Sequence, residues 1–585
     1  MAARTVQINS FCGGSSRLLD SEFLGMEESL NMYPETVTAT DTYTTKMLKG
    51  VEGFNQGSLY SQERFSGFGV VNSNPFGKDS IKESVLVVAQ GDDFNIYNTY
   101  GGTRTKVGMF TATGVGTPSI IEEMPNGLAL VLCDHKLVVV DPSQAYVEAT
   151  PPQYSPSLTL PNAFDHAGTI WPSQIAQLNF RIVLNDKDRD YIYWSELNRP
   201  TDANDTHAFE QNLTQYKYTK ADGTQVTWDD NVFYAPAVGT YDPATLETRQ
   251  TYTSSLNSMK MDFKADSVVA LRATDSSLFV FGHNSLEILR WQNSTTAPFA
   301  IVAKTSLAGV DFANAVKVIG NECYFVGKGP GGMLGVYAVD ESGNVRKISS
   351  RSVDQRLARY TVVTAGIKAI RTITYSYKGH SFFVVSIFEY YGEFEETFAY
   401  DLTEDTWADR ATFDERGDRL AWNVFYAIQF EGRPFFATYT KGGKFRLCEF
   451  WPSSGTDHYM DEDNISTAPY YLRKERVTGI KYDGVNDIVA TSLELVMNAG
   501  ATMDANPNGS AYNPKVMLQV SIDGGRTWSN ELWAYAGKVG QYSWRVRWNC
   551  LGRGARFAFK VRMADPVQFE IATAYLSYLQ CGNRI

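Results

Sequence analysis

The sequence predicts an all-β protein: a six- or seven-bladed β-propeller with a rim insertion, followed by a C-terminal antiparallel β-sandwich-like domain. Three observations predict it. The chain holds 33 Tyr, 33 Phe and 11 Trp in 585 residues, and aromatic side chains fit the pleated, half-buried surface of a sheet. Seven stretches share one design: an apolar strand, a polar or glycine-bearing turn, and a second strand. Five of the six gaps between them are close to the roughly 40–50 residues of a four-stranded blade.

The chain divides into an N-terminal arm with entry strands (1–54), the propeller (55–470) and the sandwich (471–585). The propeller hairpins are "LVVAQGDDFNIYNT" from Leu86, "LALVLCDHKLVVVDPS" from Leu128, "RIVLNDKDRDYIYWSE" from Arg181 and "SLFVFGHNSLEILRW" from Ser277. Three more begin at Cys323, Ser381 and Phe425. Successive starts lie 42, 53, 96, 46, 58 and 44 residues apart. The 96-residue gap equals one blade plus an insertion, placed at about 198–260 and rich in Asn, Thr, Asp and Gln. Long excursions of this kind are often functional. Helix is scarce. Ser349 to Tyr360 is the best candidate, with Val353, Leu357 and Tyr360 at helical spacing, and it bridges two blades. After Val477 the blade repeat disappears, and alternating strands such as "KVMLQVSIDGG", "YSWRVRW" and "ARFAFKVRM" read as a compact sandwich.

"SIDGGRTW" completes the Asp-box pattern with Ser521, Asp523, Gly525, Thr527 and Trp528. Its physics is structural. Asp523 is expected to accept backbone N–H groups, as Asx turns do. Gly524 and Gly525 supply positive φ, and Trp528 packs on the domain. A sialidase-like, glycan-degrading or glycan-binding propeller is the alternative reading. It would need several Asp-boxes, an arginine cluster and an acid pair. One complete box is present, and it lies outside the propeller.

The remaining motifs lack the context their chemistry needs. Gly327-x-Gly329-x-x-Gly332 is followed by a strand, whereas a dinucleotide fingerprint needs a helix there. Asp186, Asp188 and Asp190 start like a calcium loop, but Tyr191 and Leu197 occupy the glycine and glutamate positions. The acidic "DEDN" from Asp461 reads as linker. The six histidines show no metal-ligand spacing. Cys12, Cys133, Cys323, Cys448, Cys550 and Cys581 form neither a disulfide framework nor a zinc pattern. No catalytic residue, metal or cofactor is expected. The N-terminus lacks an apolar export segment, and no run approaches eighteen apolar residues, so a soluble chain without membrane insertion is expected.

Net charge is −12, which disfavours tight phosphate binding. One run opposes that balance. Ser543 to Met563 holds Arg545, Arg547, Arg553, Arg556, Lys560 and Arg562 and no acid. Alternation puts Arg545 and Arg547 opposite Trp544, Val546 and Trp548. The aromatics then belong to the core, and the basic face is a candidate subunit interface, with a solvated face or contact with the DNA backbone as the alternatives.

Three stretches carry a family likeness. They are "SLNMYPET" from Ser29, Val268 to Gly327 with its Phe-Gly strand end and Ser-x-Glu strand, and Leu518 to Leu576 with its Asp-Gly turn and Arg-rich paired strands. Together they resemble the tail hub (nozzle) proteins of short-tailed bacteriophages, also called packaged-DNA stabilisation proteins. The resemblance implies a homo-oligomeric ring, typically a hexamer, below the portal and head-to-tail adaptor. Such a ring extends the channel for duplex DNA, helps retain the packaged genome, and holds tailspikes or tail fibres and the plug or needle until ejection. It further implies a structural protein of the virion tail, made in the host bacterial cytoplasm, with no enzymatic residues. The insertion at about 198–260 has no counterpart in shorter family members.

Overall fold

A computed structural model describes most of residues 3–581. Outside it lie chiefly 18–25, 54–64, 74–82, 111–119, 161–167, 199–203, 230–245, 362–368, 451–455, 458–469, 503–508 and 582–585, with shorter turns between strands. The acidic run from Asp461 and three of the histidines, His166, His207 and His458, fall outside the described residues.

Seven small antiparallel sheets follow one another along the chain. Their first strands are Phe65–Ser73, Ile120–Glu123, Ile175–Leu178, Ala270–Ala273, Val316–Ile319, Ala369–Tyr377 and Val424–Phe430. Each first strand touches the next, and the seventh returns to the first, so they form a closed ring. The hairpins expected from sequence are present. Four hairpin turns place both turn residues at positive φ: Asp134 with His135, Asn179 with Phe180, Lys378 with Gly379, and Glu431 with Gly432. Such turns match the right-handed twist of the strands they join.

Two sheets are completed at their outer side by a strand from elsewhere. The third is completed by Ser258–Lys260, which pairs with Tyr191–Trp194. The excursion therefore leaves and returns at the sheet's outer side and ends before Ser258. Within it, Glu210–Thr219, Gln225–Asp229 and Leu246–Leu256 build a separate three-stranded sheet. The seventh sheet gains Val51–Gly53, which pairs with Phe445–Phe450. A segment from the beginning of the chain thereby closes the ring. The predicted helix is Arg351–Thr361. It links the fifth and sixth sheets and buries Val353 and Leu357. No helix among the described residues is long and apolar enough to cross a membrane.

The sandwich has two sheets. One joins Met32–Val37, Thr42–Met47, Ile571–Gln580, Ile488–Met497 and Val546–Gly554, with Ala3–Gln7 paired to Ile571–Gln580. The other joins Met26–Leu30, Lys474–Val477, Ala558–Met563, Lys515–Ser521 and Leu532–Tyr535. Between them lie Val516, Leu518, Phe557, Phe559 and Val561 from one side and Leu493, Leu495, Val546, Trp548 and Leu576 from the other.

The second of these sheets does not stop at the sandwich. Met26–Leu30 pairs in parallel with Thr406–Phe413 of the sixth propeller sheet, at Leu30 and Asp409. The segment after it serves both cores. Met32 is buried in the sandwich core, whereas its neighbour Tyr33 is buried in the propeller with Phe382, Trp422 and Phe450. Burying a large apolar side chain stabilises by roughly 1.5–3 kcal/mol, so two consecutive residues tie down one domain each.

Candidate functional site

The Asp-box turn connects Lys515–Ser521 to the region before Leu532–Tyr535. Asp523 accepts from the backbone N–H of Arg526 at 3.0 Å and of Thr527 at 3.0 Å. It also accepts from the hydroxyls of Thr527 at 2.6 Å and Ser521 at 2.7 Å. The Gly525 N–H in turn donates to Ser521 Oγ at 2.7 Å. Gly524 and Gly525 adopt φ 82° and 90°, which side chains disfavour. The hydrogen bonds from Thr527, then Ser521, lower the Asp523 pKa to about 2.

Asp523 is thus a turn-holder, fully ionised wherever a general acid would need its proton. Its stabilising contribution is present above the ordinary Asp value of about 3.9 and is lost as pH falls through about 2. A carboxyl NMR titration of Asp523 is expected to show that low midpoint; a midpoint near 4 would contradict the geometry. Asp523→Ala is expected to speed amide exchange at Arg526 and Thr527 while leaving the two sandwich sheets protected.

The basic run divides. Arg545 precedes, and Arg547 and Arg553 lie on, Val546–Gly554 in one sheet, whereas Lys560 and Arg562 lie on Ala558–Met563 in the other. They point away from the shared core on opposite sides of the sandwich and do not form the single face expected from sequence. Alternation does hold locally: Arg545 and Arg547 are exposed, and Val546 and Trp548 are buried. Trp544 departs from the expectation. It is 44% exposed, because it precedes the strand and turns its indole back on a neighbouring one.

Much of the basic charge is already matched within the chain. Arg545 reaches Glu494 at 2.7 Å and Arg553 reaches Asp487 at 3.3 Å. Arg562 bridges Glu475 at 2.7 Å and Glu531 at 2.9 Å. Arg547 donates to a hydroxyl, Ser492 Oγ at 3.3 Å. Arg556 anchors the Asp-box through its backbone, its carbonyl accepting the Gly524 N–H at 3.1 Å. Lys560 lies over the ring of Trp528 at 4.5 Å, so Trp528 packs on the domain partly through this cation.

Sequence alternation missed an aromatic surface on the second sheet. Trp533 and Tyr535 are 57% and 52% exposed, with Lys515 over both rings. Leu532–Tyr535 is the last strand of that sheet, and an open edge invites pairing with another chain. Here the strand's carbonyls are partly occupied: Tyr535 O accepts the Trp544 indole N–H at 2.8 Å, and Leu532 O accepts that of Trp548 at 2.9 Å. The only signal in the sequence was the density of Trp and Tyr between Leu532 and Trp548.

The other motifs resolve into structure. Gly327, Gly329 and Gly332 span the turn between Glu322–Lys328 and Leu334–Asp340. Asp186 accepts the Trp171 N–H at 2.9 Å, and Asp190 pairs with Lys260 at 3.6 Å. Among the described residues no three His, Cys, Asp or Glu side chains group as a metal site would. His380, isolated in sequence, is paired in space: its Nδ1 lies 2.8 Å from Asp401 Oδ2, both buried beside Tyr33.

Comparison with known proteins gives two family matches. A model described as bacteriophage P22 Gp10, beta-propeller, matches residues 192–412. One described as bacteriophage P22 Gp10, beta-sandwich, matches residues 474–578. Together they span more than half of the chain, and the second begins at the strand Lys474–Val477. No curated protein sequence matches. Among solved structures, the beta-propeller domain of Myceliophteria thermophila Cps50 (Swd1) is 9% identical, over 68% of this chain and 99% of that one, with a TM-score of 0.35. Kluyveromyces lactis Hsv2 is 9% identical over 66% and 98%, with a TM-score of 0.29. An exo-beta-1,3-galactanase from Phanerochaete chrysosporium is 7% identical over 87% and 100%, with a TM-score of 0.23. Scores this low transfer nothing from those proteins to this chain.

Proposed function

Since the chain belongs to the family of bacteriophage P22 Gp10, the tail hub of a short-tailed phage, we propose that copies of it assemble into the ring that forms the nozzle below the portal and adaptor. The chain is a structural component of a phage tail. In our reading the ring has six copies, extends the channel for duplex DNA, retains the packaged genome, and holds tailspikes or fibres and a plug until ejection. It carries out no catalysis. The chain is made in the bacterial host and acts in the virion tail.

The observation that carries this reading is that one family accounts for both the propeller and the sandwich, in order, along the same chain. Two physical points support it. A net charge of −12 suits a wall past which DNA must slide without being gripped. The sheet running from the sixth propeller sheet into the sandwich makes a stiff two-domain subunit, and a closed ring needs subunits that hold their angle.

We further propose that Arg545, Arg547 and Arg553, on one side of the sandwich, contact an acidic surface of the neighbouring copy. Arg556, Lys560 and Arg562 would belong to a second contact on the other side. Arg547 leads, since no carboxylate is matched to it in the geometry above. Arg547→Glu is expected to block ring formation while leaving the thermal unfolding of the monomer within a few degrees of the parent, because exposed substitutions cost little. Rings that persist in this variant would exclude the contact.

Negative-stain electron microscopy tests the main reading. Purified protein, alone and mixed with the portal–adaptor complex of the same virus, is expected to give rings with a hole wide enough for duplex DNA, docked on the adaptor. Monomers that ignore the adaptor would overturn it.

A further inference from the structure

Five of the seven first strands and the turn before one of them line a cavity of about 300 Å³, at the small end of the range for ligand sites. Six polar side chains line it: Glu122, Gln177, Arg272, Asn314, Lys317 and Tyr426. They come from the second, third, fourth, fifth and seventh positions around the ring, so the polar groups converge from different walls.

Their commitments differ. Arg272 is locked, giving hydrogen bonds to the carbonyls of Leu271, Ala313 and Val316 and to Gln174 Oε1, all at 2.6–3.1 Å. It supplies fixed positive charge and little else. Arg371, on the neighbouring strand Ala369–Tyr377, is stacked on Phe425 and Tyr426 at 4.9 and 4.6 Å. The Lys317 ammonium and the amides of Gln177 and Asn314 make no hydrogen bond to any described residue.

The charges facing Lys317 are Arg272 from the fourth sheet, Arg371 from the sixth and Glu122 from the second. Glu123 stands beside Glu122. Three cations therefore meet around one inward carboxylate. Burial, then the two guanidiniums, push Lys317 down to about 7, with only Glu122 opposing. Burial raises Glu122 to about 7 against Arg272 and Lys317, with Glu123 adding to the rise. A cavity that disfavours its own lysine's charge while that lysine lacks a partner is short of a negative ion.

We propose that this central cavity binds a small oxyanion, of the sulfate, phosphate or carboxylate kind, held by the Lys317 ammonium and the amides of Gln177 and Asn314. The bound ion supplies the missing negative charge, so Lys317 takes up a proton on binding. Glu122 meets the ion as a carboxylic acid and gives it a hydrogen bond. A cation would instead face Arg272 and Arg371 with a single, half-neutralised carboxylate for support. The site is independent of ring assembly and of the large channel proposed for DNA.

Calorimetric titration of the full-length protein with sodium sulfate and with sodium acetate, at about pH 6 and pH 8, tests this. Both ions keep constant charge in that window, so any pH dependence belongs to the protein. With Lys317 and Glu122 each half-protonated near 7, each competent fraction falls about tenfold between the two, so the affinity falls about tenfold or more. Saturation by either ion at pH 6, weakened about tenfold or more at pH 8, supports the site, and the tighter ion names the kind of oxyanion. Lys317→Met is expected to abolish binding at both pH values. Gln177→Glu, which adds a carboxylate to the opposite wall, is expected to weaken it at least tenfold and serves if Lys317→Met fails to fold. No saturable binding at pH 6 overturns the proposal, as does binding that survives either substitution unchanged.

Discussion

Replacing Asp409 by Ala is expected to destabilise the protein by about 3–5 kcal/mol, the usual cost of stripping one partner from a buried ion pair. Asp409 is fully buried and sits where the sixth propeller sheet meets Met26–Leu30. Its carboxylate accepts Arg356 Nη2 at 2.6 Å and Arg419 Nη2 at 3.3 Å. Arg356 also reaches Glu396 at 2.5 Å, and Arg419 reaches Glu28 at 2.8 Å. Burial works against the charge on Arg356, but Asp409 and Glu396 outweigh it and raise its pKa. Without Asp409, Arg356 remains 93% covered, with a side-chain exposure of 7% and one of its two carboxylates gone. The urea midpoint of unfolding reads the effect. Glu396→Gln, at a partly exposed partner, should shift it less. An unchanged midpoint in Asp409→Ala would mean the cluster is already solvated.

Asn31→Ala is expected to cost about 3 kcal/mol and to make the junction between the two domains sensitive to protease. Asn31 is wholly buried at φ 53°, a conformation Asn tolerates better than most residues. Its amide donates to the carbonyls of Ala411 and Arg473, both at 2.9 Å, and its Oδ1 accepts the Ala411 N–H at 3.1 Å. One side chain thus fastens the N-terminal segment to the sixth propeller sheet and to the entry of the sandwich. Alanine leaves three buried backbone groups short of a partner, each worth about 1–3 kcal/mol, with partial relief by local relaxation. Asn31→Asp should be worse, since a carboxylate cannot donate to two carbonyls. Limited proteolysis followed by mass spectrometry of the cut sites is the measurement. Resistance equal to the parent in both variants would argue against the staple.

The sequence made the hairpins legible because their information is local: turn residues such as Asp134-His135 and Glu431-Gly432 lie inside the hairpins read from Leu128 and Phe425 and mark the reversal. It left the number of blades between six and seven because Val51–Gly53 and Ser258–Lys260 join sheets far from their neighbours in sequence. The Asp-box turn was legible in outline for the same local reason, Asp523 accepting the backbone N–H groups of Arg526 and Thr527, whereas the bonds through Ser521 were not. The basic run was legible only within each strand. Alternation placed Arg547 outward and Val546 inward, but no local pattern reveals that Val546–Gly554 and Ala558–Met563 enter opposite sheets. Nor does it reveal that Glu494, Asp487 and Glu475 wait there for the arginines. The cavity was invisible for a related reason. Glu122, Arg272 and Lys317 are far apart in the chain and meet only because the ring closes.

The early segment that feeds both domains also sets the order in which the chain can mature. Ala3–Gln7 pairs with Ile571–Gln580, and Val51–Gly53 with Phe445–Phe450. The ribosome delivers the first of these strands long before its partner exists. Pairings of such high sequence separation form slowly, and unpaired early strands are exposed to misassociation meanwhile. Completion of the sandwich is therefore tied to synthesis of Ile571–Gln580, the strand on which Ala3–Gln7 pairs.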